Sequence, residues 1–431
     1  MRELSGKRLL ILGANPETAA LVTVAKDMGV YTIVTDYDPK AYAKAFADKS
    51  YNVDAIDVDS LVILAKEERV DGVLVGVADA LIPTYQKVCE RIGVPCYATE
   101  EQVKVFTNKN FFKRKCEEYG ILGVPEYRAD EKKENITYPV IVKPTDSNSG
   151  KGITLCDTSE ELEEAIETAK QASASNTYLL EEYMECEDVS IYYTLKDGKA
   201  YLSSMSDRYT YREQRKVSPV CLGDIFPSKV LDIFMKEEHP KFCKMFNELG
   251  IKNGIFYTSA FYRDGKFYVY DPGFRLQGGG FHLILKAAHG FDHREMLINY
   301  ALTGDMGEPK FESLNDPYLS GKAAAVIWFL LKPGVIAKID GIDYVKTHPD
   351  VIHFVQRFQE GDVIPESAAG TERQVFLRIF VLCNSDAGLR RTIKDLQNKV
   401  KVFDDCNNLM MLKGIDADEV IGKNENERED S

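Results

Sequence analysis

The sequence predicts a mixed α/β and α+β fold divided into several domains, and three observations carry that expectation. Short continuous apolar runs alternate with stretches of helical period over the first hundred residues, the pattern of a parallel sheet with helices between its strands. Strand-like segments then dominate from Tyr178 to Tyr270. The length of 431 residues suits two to four domains at roughly 100–200 residues each.

Leu9, Leu10, Ile11 and Leu12 form an unbroken apolar run, as expected of a strand buried on both faces. Gly13 to Thr18 turns the chain, and Ala20, Leu21, Val24, Ala25 and Met28 recur at helical spacing before Gly29. Strands at Tyr31–Thr35 and Val70–Val77 and a helix from Leu81 to Ile92, closed by Gly93, complete a β-α-β, Rossmann-like unit. A second region starts near Glu101, with a helix from Lys109 to Tyr119. A strand follows over Tyr138–Pro144, then a Gly- and Ser-bearing loop, Thr145 to Gly152. Thr158 and Glu161 read as a capping box for a helix reaching Lys170. Strands are expected at Tyr178–Met184, Val189–Leu195, Ala200–Met205, Gly254–Arg263 and Lys266–Tyr270. A third region from about Lys310 opens with a helical segment near Gly321–Ile327, continues as short strands, and ends in a polar tail, Lys423 to Ser431.

Lys and Arg number 54 against 68 Asp and Glu, a net charge of −14, which argues against a nucleic-acid backbone binder. A local lysine pair still suffices for a phosphate-bearing small ligand. The nine cysteines are scattered, with no Cys-x-x-Cys pair, so neither a zinc site nor a disulfide framework is indicated. No signal-like stretch opens the chain and no run reaches the 18 apolar residues of a membrane span. A cytoplasmic protein with no membrane or nucleic-acid partner is the expectation.

The first loop lacks the Gly-x-Gly-x-x-Gly of a dinucleotide fold, which disfavours a nicotinamide enzyme. It is either a plain strand-to-helix turn or a substrate-facing loop. More informative is Lys143-Pro-Thr-Asp-Ser-Asn-Ser-Gly-Lys-Gly152. A lysine ending a buried strand before a small-residue loop places one cation and several N–H donors around a polyphosphate. Lys109 lies upstream in Thr-Asn-Lys, and Leu179-Leu-Glu-Glu-Tyr-Met184 ends a strand in adjacent carboxylates. Ser206-Asp-Arg208 and Tyr270-Asp-Pro-Gly-Phe-Arg275 follow, then the glycine run Gln277–Gly280. His289 and His293 stand four apart without a third ligand, and the aromatics between Phe256 and Tyr268 read as strand packing.

In this order the motifs resemble the ATP-grasp superfamily over most of the chain. The nearest look-alikes are carboxylate–amine ligases of the biotin carboxylase and carbamoyl phosphate synthase type, and small ligases for amino acids or purine precursors. The resemblance implies a Rossmann-like domain at 1–105 and an ATP-grasp domain at 106–308 with a lid at about 121–185. It further implies a mainly β closing domain at 309–422 and a tail at 423–431. It assigns Lys109 and Lys143 to ATP phosphates under a lid loop bearing Ser147, Ser149, Gly150 and Gly152. Glu181 and Glu182 are expected at the adenine amino group, backbone near Met184 at the ring, and Asp188 at the ribose. Asn15, Glu17, Arg208, Arg275 and Gly279 are expected at the substrate, with Lys143 and Arg275 catalytic.

The metal site departs from the family pattern of one Glu on the first hairpin strand and Glu-x-Asn-x-Arg on the second. Here Ser259 or Ala260 stands at the first position, Asp271 replaces the second Glu and Gly273 replaces Asn. Asp271 is then the one clear carboxylate for Mg²⁺, which accepts few protein ligands when phosphates and water supply the rest; a single ion is the more natural occupancy. The implied reaction is ATP-dependent joining of a small carboxylic acid to an amine through an acyl phosphate, releasing ADP and phosphate. A nucleotide-binding sensor or scaffold with curtailed catalysis is the alternative. The resemblance also leaves a homodimer open.

Overall fold

The computed structural model describes residues 4–128, 133–146, 152–212 and 219–421. Ser147, Ser149 and Gly150 of the expected lid loop lie outside these residues, as does the polar tail.

The N-terminal unit is a parallel sheet ordered Lys49–Tyr51, Tyr31–Thr35, Arg8–Leu12, Gly72–Val75. The strand Gly72–Val75 is shorter than its expected bounds, Val70–Val77. The helix Pro16–Asp27 starts with proline in its first turn and is capped by Asn15, whose side chain accepts from the Thr18 N–H at 2.8 Å. Gly93 closes the helix Ile82–Ile92 in the left-handed conformation.

The centre of the molecule is a nine-stranded sheet. Its order is Val351–Gln356, Val375–Cys383, Ala323–Leu330, Val220–Phe226, Lys199–Tyr211, Glu187–Lys196, Gly254–Arg263, Lys266–Gly273 and Leu122–Gly123. Every pairing is antiparallel except the last. The segment expected as a helix near Gly321–Ile327 is instead the strand Ala323–Leu330, buried at all eight positions. Three alanines favour a helix locally, but the run Ala-Ala-Ala-Val-Ile-Trp-Phe-Leu has no polar face. The sheet centre takes such a run because both its faces are covered. The strand Val220–Phe226, absent from the expected elements, joins this segment to the hairpins on the other side.

A second, four-stranded sheet is ordered Glu126–Tyr127, Tyr178–Glu182, Val140–Pro144, Thr154–Cys156, with the helix Leu162–Ala172 against it. Its core, including Val140, Val142, Leu162, Ala165 and Leu180, is separate from the main core. This sheet and its helix fall within the expected lid, at about 121–185. The expected capping box does not form: Thr158 makes no side-chain cap bond, and Glu161 accepts from the Asp157 N–H at 2.9 Å instead. A 3₁₀ turn at Ser159–Glu161 intervenes, so the α-helix starts at Leu162. Phe256 and Phe267 pack into the main core, as strand packing requires. Among the described residues no helix is long and apolar enough to cross a membrane.

Candidate active site

Lys143 ends the strand Val140–Pro144, where the lid sheet meets the nine-stranded sheet. Its Nζ lies 2.6 Å from Glu181 Oε2, and Lys113 Nζ lies 3.4 Å from Glu181 Oε1 and 2.6 Å from Glu126. Burial pulls the Lys143 ammonium down, but the Glu181 and Asp271 carboxylates outweigh it, so its pKa is raised and the cation persists. Glu181, expected at a base edge, therefore presents its carboxylate to two lysines. Glu182 pairs with Arg263 at 2.6 Å. Met184 is buried, next to Tyr183, whose N–H donates to Pro139 O at 3.3 Å.

Lys109 starts the helix Lys109–Glu118, tied to the lid strand by its backbone N–H on Thr145 O at 3.1 Å. Its Nζ lies 3.2 Å from Asp271 Oδ1. The Asp271 side chain is 53% exposed. Burial by itself would raise its carboxyl; Lys109 first and Lys143 next outweigh that and hold it below the usual range. Lys109 thus pairs directly with the Asp271 carboxylate, while Lys143, itself paired with Glu181, adds a second favourable charge to it. Gly152 sits at φ +77°, and a Cβ there would collide with Ala172, so this glycine lets the loop return against the strand end.

Across three neighbouring strands, Asp188, Arg208 and Asp224 stand side by side in register. Tyr270 Oη donates to Asp188 Oδ1 at 2.7 Å, and Arg208 Nη1 lies 3.7 Å from Asp188 Oδ2. Burial raises the Asp188 carboxyl against the opposing pull of Arg208 and Tyr270. Burial likewise pushes Asp224 up to about 6, with Arg208 opposing it. Both Asp188 oxygens face protein groups rather than an open ribose position.

Arg275 follows the hairpin strand Lys266–Gly273. It pairs with Asp79 of the N-terminal unit, donates to Leu276 O at 2.7 Å, and lies 5.1 Å over the Tyr257 ring. Gly273 is register partner to Tyr257, and a Cβ at Gly273 would collide with that ring. The position where the family pattern has Asn is therefore filled by Tyr257. Ala260 is fully buried and offers no oxygen, and Ser259 sits at the register break of the hairpin. The donor set fits Mg²⁺ through one carboxylate, Asp271, completed by phosphate and water oxygens. His293 is a buried core residue whose Nε2 lies 2.6 Å from Thr194 Oγ1.

At the other end of the cleft, Asn15 is a helix cap and Glu17 lies 3.1 Å from Arg378 Nη2. Gly279 belongs to the loop Gln277–Gly280, which rests against Val77 at Gly278 and against Phe380 at Gly280. The expected site residues thus fall into one group around Lys109, Lys143 and Asp271 and a second around Glu17, Arg275 and Gly279, with Asp188 and Arg208 on the sheet beside Asp271. Sequence reading missed Asp79, Tyr257, Arg357 and Arg378. A signal existed for two of them. Asp79 follows a buried parallel strand, where such sheets bind ligands. Arg378 is the lone charge in Val-Phe-Leu-Arg-Ile-Phe-Val-Leu-Cys, and a charge in a buried strand needs a partner or a ligand.

The family model described as D-ala D-ala ligase C-terminus matches residues 116–211. The formate-dependent phosphoribosylglycinamide formyltransferase of Methanocaldococcus jannaschii is 28% identical over 190 residues, which is 41% of this chain and 48% of that protein. The same-named protein of Wolinella succinogenes is 28% identical over 210 residues, 44% and 51% of the two chains. The chain thus spans about half the length of the curated relatives it matches. Among solved structures, an L-amino acid ligase from Bacillus licheniformis aligns with a TM-score of 0.75 at 19% identity, covering 93% of this chain and 99% of that one. Phosphoribosylglycinamide synthetase from Anaerococcus prevotii aligns at 0.73 and 19%, covering 93% and 100%, and biotin carboxylase from Campylobacter jejuni at 0.68 and 16%, covering 95% and 94%. Over more than nine-tenths of its length the chain therefore has the ATP-grasp fold of these ligases, and residues 116–211 match the family model.

Proposed function

We propose that this protein is an ATP-dependent ligase joining a small carboxylic acid to an amine through an acyl phosphate, with release of ADP and phosphate. The observation that carries the reading is the Lys109–Asp271 pair at 3.2 Å, with the charge of Lys143 acting on the same carboxylate and the buried Arg275 four residues on. Lys109 and Lys143 hold the nucleotide phosphates, and the lid, moving on its own core, closes over them. Asp271 would hold one Mg²⁺, which when bound neutralises phosphate charge. The acid's carboxylate oxygen attacks the γ-phosphorus, the bond from that phosphorus to the ADP oxygen breaks, and ADP leaves. The amine nitrogen then attacks the acyl carbon, phosphate departs, and the nitrogen loses its proton to solvent. Arg275, fixed by Asp79, Leu276 O and the Tyr257 face, presents its remaining Nε–H donor to the oxyanion formed. Such chemistry depends on positioning and charge stabilisation more than on covalent help from the protein.

The domain division at 105, 308 and 422 and the individual site roles belong to this proposal. The alternative, a nucleotide-binding sensor with curtailed catalysis, draws on Ala260 and on the Tyr257-filled Gly273 position. Product analysis with a panel of amino acids, other small acids and amines decides between them. ADP and phosphate released in step with product support the ligase; AMP release, or nucleotide binding with no turnover on any acid–amine pair, overturns it.

A further inference from the structure

The segment Leu276–Gly280 is clamped by two buried arginines. Arg275 donates to Leu276 O at 2.7 Å and Arg378 Nη1 donates to Gly278 O at 2.9 Å. Arg378 projects from the strand Val375–Cys383, is 5% exposed, and stacks 5.2 Å from the Trp328 ring centroid. Its Nη2 lies 3.1 Å from Glu17 Oε1, and Arg357 Nη2 lies 3.9 Å from the same oxygen. A single carboxylate oxygen from the first helix is therefore shared by two guanidiniums from the far end of the chain.

That sharing is incomplete. Arg378 Nε is buried and meets no acceptor among the described residues, and the same holds for Arg275 Nε. Burial first and Arg357 second lower the Arg378 pKa, as expected where two like charges sit together. The Nε–Nη2 edge of a guanidinium is the edge that takes an oxyanion bidentately, and Glu17 engages only Nη2. Glu17 also sits in the first turn of the helix Pro16–Asp27. A carboxylate there stays favoured by the helix dipole when it swings toward water, so an incoming oxyanion has only to replace its pairing with the buried Arg378.

We propose that Arg378, with Arg357 beside it, is the recognition site for an oxyanion on the substrate, either a carboxylate or a phosphate, and that Glu17 occupies this place until the substrate displaces it. The proposal rests on the ligase reading only in taking the Arg275 end of the cleft as the substrate end. Glu17 then sets specificity. It excludes substrates lacking an oxyanion able to outcompete it, and it lowers apparent affinity by the fraction of molecules in which the site is held.

Trp328 is the single tryptophan of the chain, so its emission reports on Arg378. The test titrates the full-length protein with sodium acetate and, separately, with inorganic phosphate at constant ionic strength. The expected result is a saturable change in emission with at least one anion, whose source is named by the lower half-saturation. In Glu17→Gln that half-saturation falls about tenfold; in Arg378→Met the response disappears. Arg357→Gln, at a partly exposed position, raises half-saturation several-fold and stands in should Arg378→Met fail to fold. No saturable response in wild type or Glu17→Gln, or an unshifted response in Glu17→Gln, overturns the proposal. Binding of a fluorescent ATP analogue is measured in the same samples. Nucleotide binding without an anion response removes this site and leaves the ligase reading standing; an anion response without nucleotide binding does the reverse.

Discussion

Replacing Lys143 with methionine separates two roles of one ammonium. In the fold its Nζ faces Glu181 Oε2 at 2.6 Å, with the two side chains 9% and 5% exposed. Removing one member of a buried pair costs about 3–5 kcal/mol, because the other charge is left unpaired. Lys113, 3.4 Å from the other Glu181 oxygen, remains as a partner, so the expected loss is about 2–3 kcal/mol. Adding Glu181→Met removes the orphaned charge. Lys113 keeps Glu126 at 2.6 Å, and the double variant returns to within about 1 kcal/mol of wild type, as apolar replacements of buried pairs do. The nucleotide behaves differently. Both variants lack a phosphate cation, so each binds an ATP analogue at least about tenfold more weakly, roughly 1.4 kcal/mol. Urea unfolding followed by Trp328 emission and titration with a fluorescent analogue read the two quantities independently. An unchanged unfolding midpoint in Lys143→Met, or wild-type nucleotide binding in the double variant, refutes the reasoning.

Asp271→Asn is expected to lower ADP release by about 100-fold or more at saturating Mg²⁺, with unfolding free energy within about 0.5 kcal/mol of wild type because the side chain is half open; steady-state turnover and urea midpoints check both halves. Gly273→Asn drives a side chain into the Tyr257 ring and is expected to cost about 1–3 kcal/mol, largely relieved in Gly273→Asn/Tyr257→Ala by the same unfolding assay. Burial holds His293 down to about 3, while the unfolded chain protonates near 6.5. The unfolded state therefore binds the extra proton, and stability present above about pH 6.5 is lost as pH falls, about 2 kcal/mol by pH 5. His293→Gln, keeping a polar group beside Thr194, removes that share of the loss in urea titrations at pH 7 and 5.

That Lys109, Lys143 and Asp271 group together is what the resemblance implied, and each stands at a recognisable place in its own element. Lys143 closes an apolar strand before a small-residue loop and Lys109 opens a helix after Asn108, both visible in local pattern; Asp271 and Arg275, at one strand end, were picked out by the resemblance. The strand Ala323–Leu330 was misread for the same reason in reverse, since local alanine propensity says nothing of the sheet waiting on both sides. The second end was illegible because its contacts span the chain. Arg275 meets Asp79 across 196 positions and Arg378 meets Glu17 across 361, distances over which no periodicity carries information. Glu181 shows a finer failure. Its place at a strand end was visible, but which cation its carboxylate meets depends on Lys113 from a separate helix.

The Gly273 departure changes meaning once Tyr257 is seen. Read along the chain, the missing Asn weakens a metal site and favours lost catalysis. In the hairpin, Gly273 and Tyr257 are register partners, and the absence of a side chain at one admits the ring of the other. That ring lies under Arg275 and its hydroxyl donates to Asp79 at 3.4 Å, so an oxygen ligand is exchanged for a firmer seat under the arginine. The seat still leaves Arg275 Nε buried without an acceptor among the described residues. An unsatisfied buried donor costs about 1–3 kcal/mol, and an oxyanion arriving at that edge would recover it. The fold therefore holds Arg275 in a geometry that gains from an anionic ligand, which a site relieved of chemistry would have no physical need to maintain.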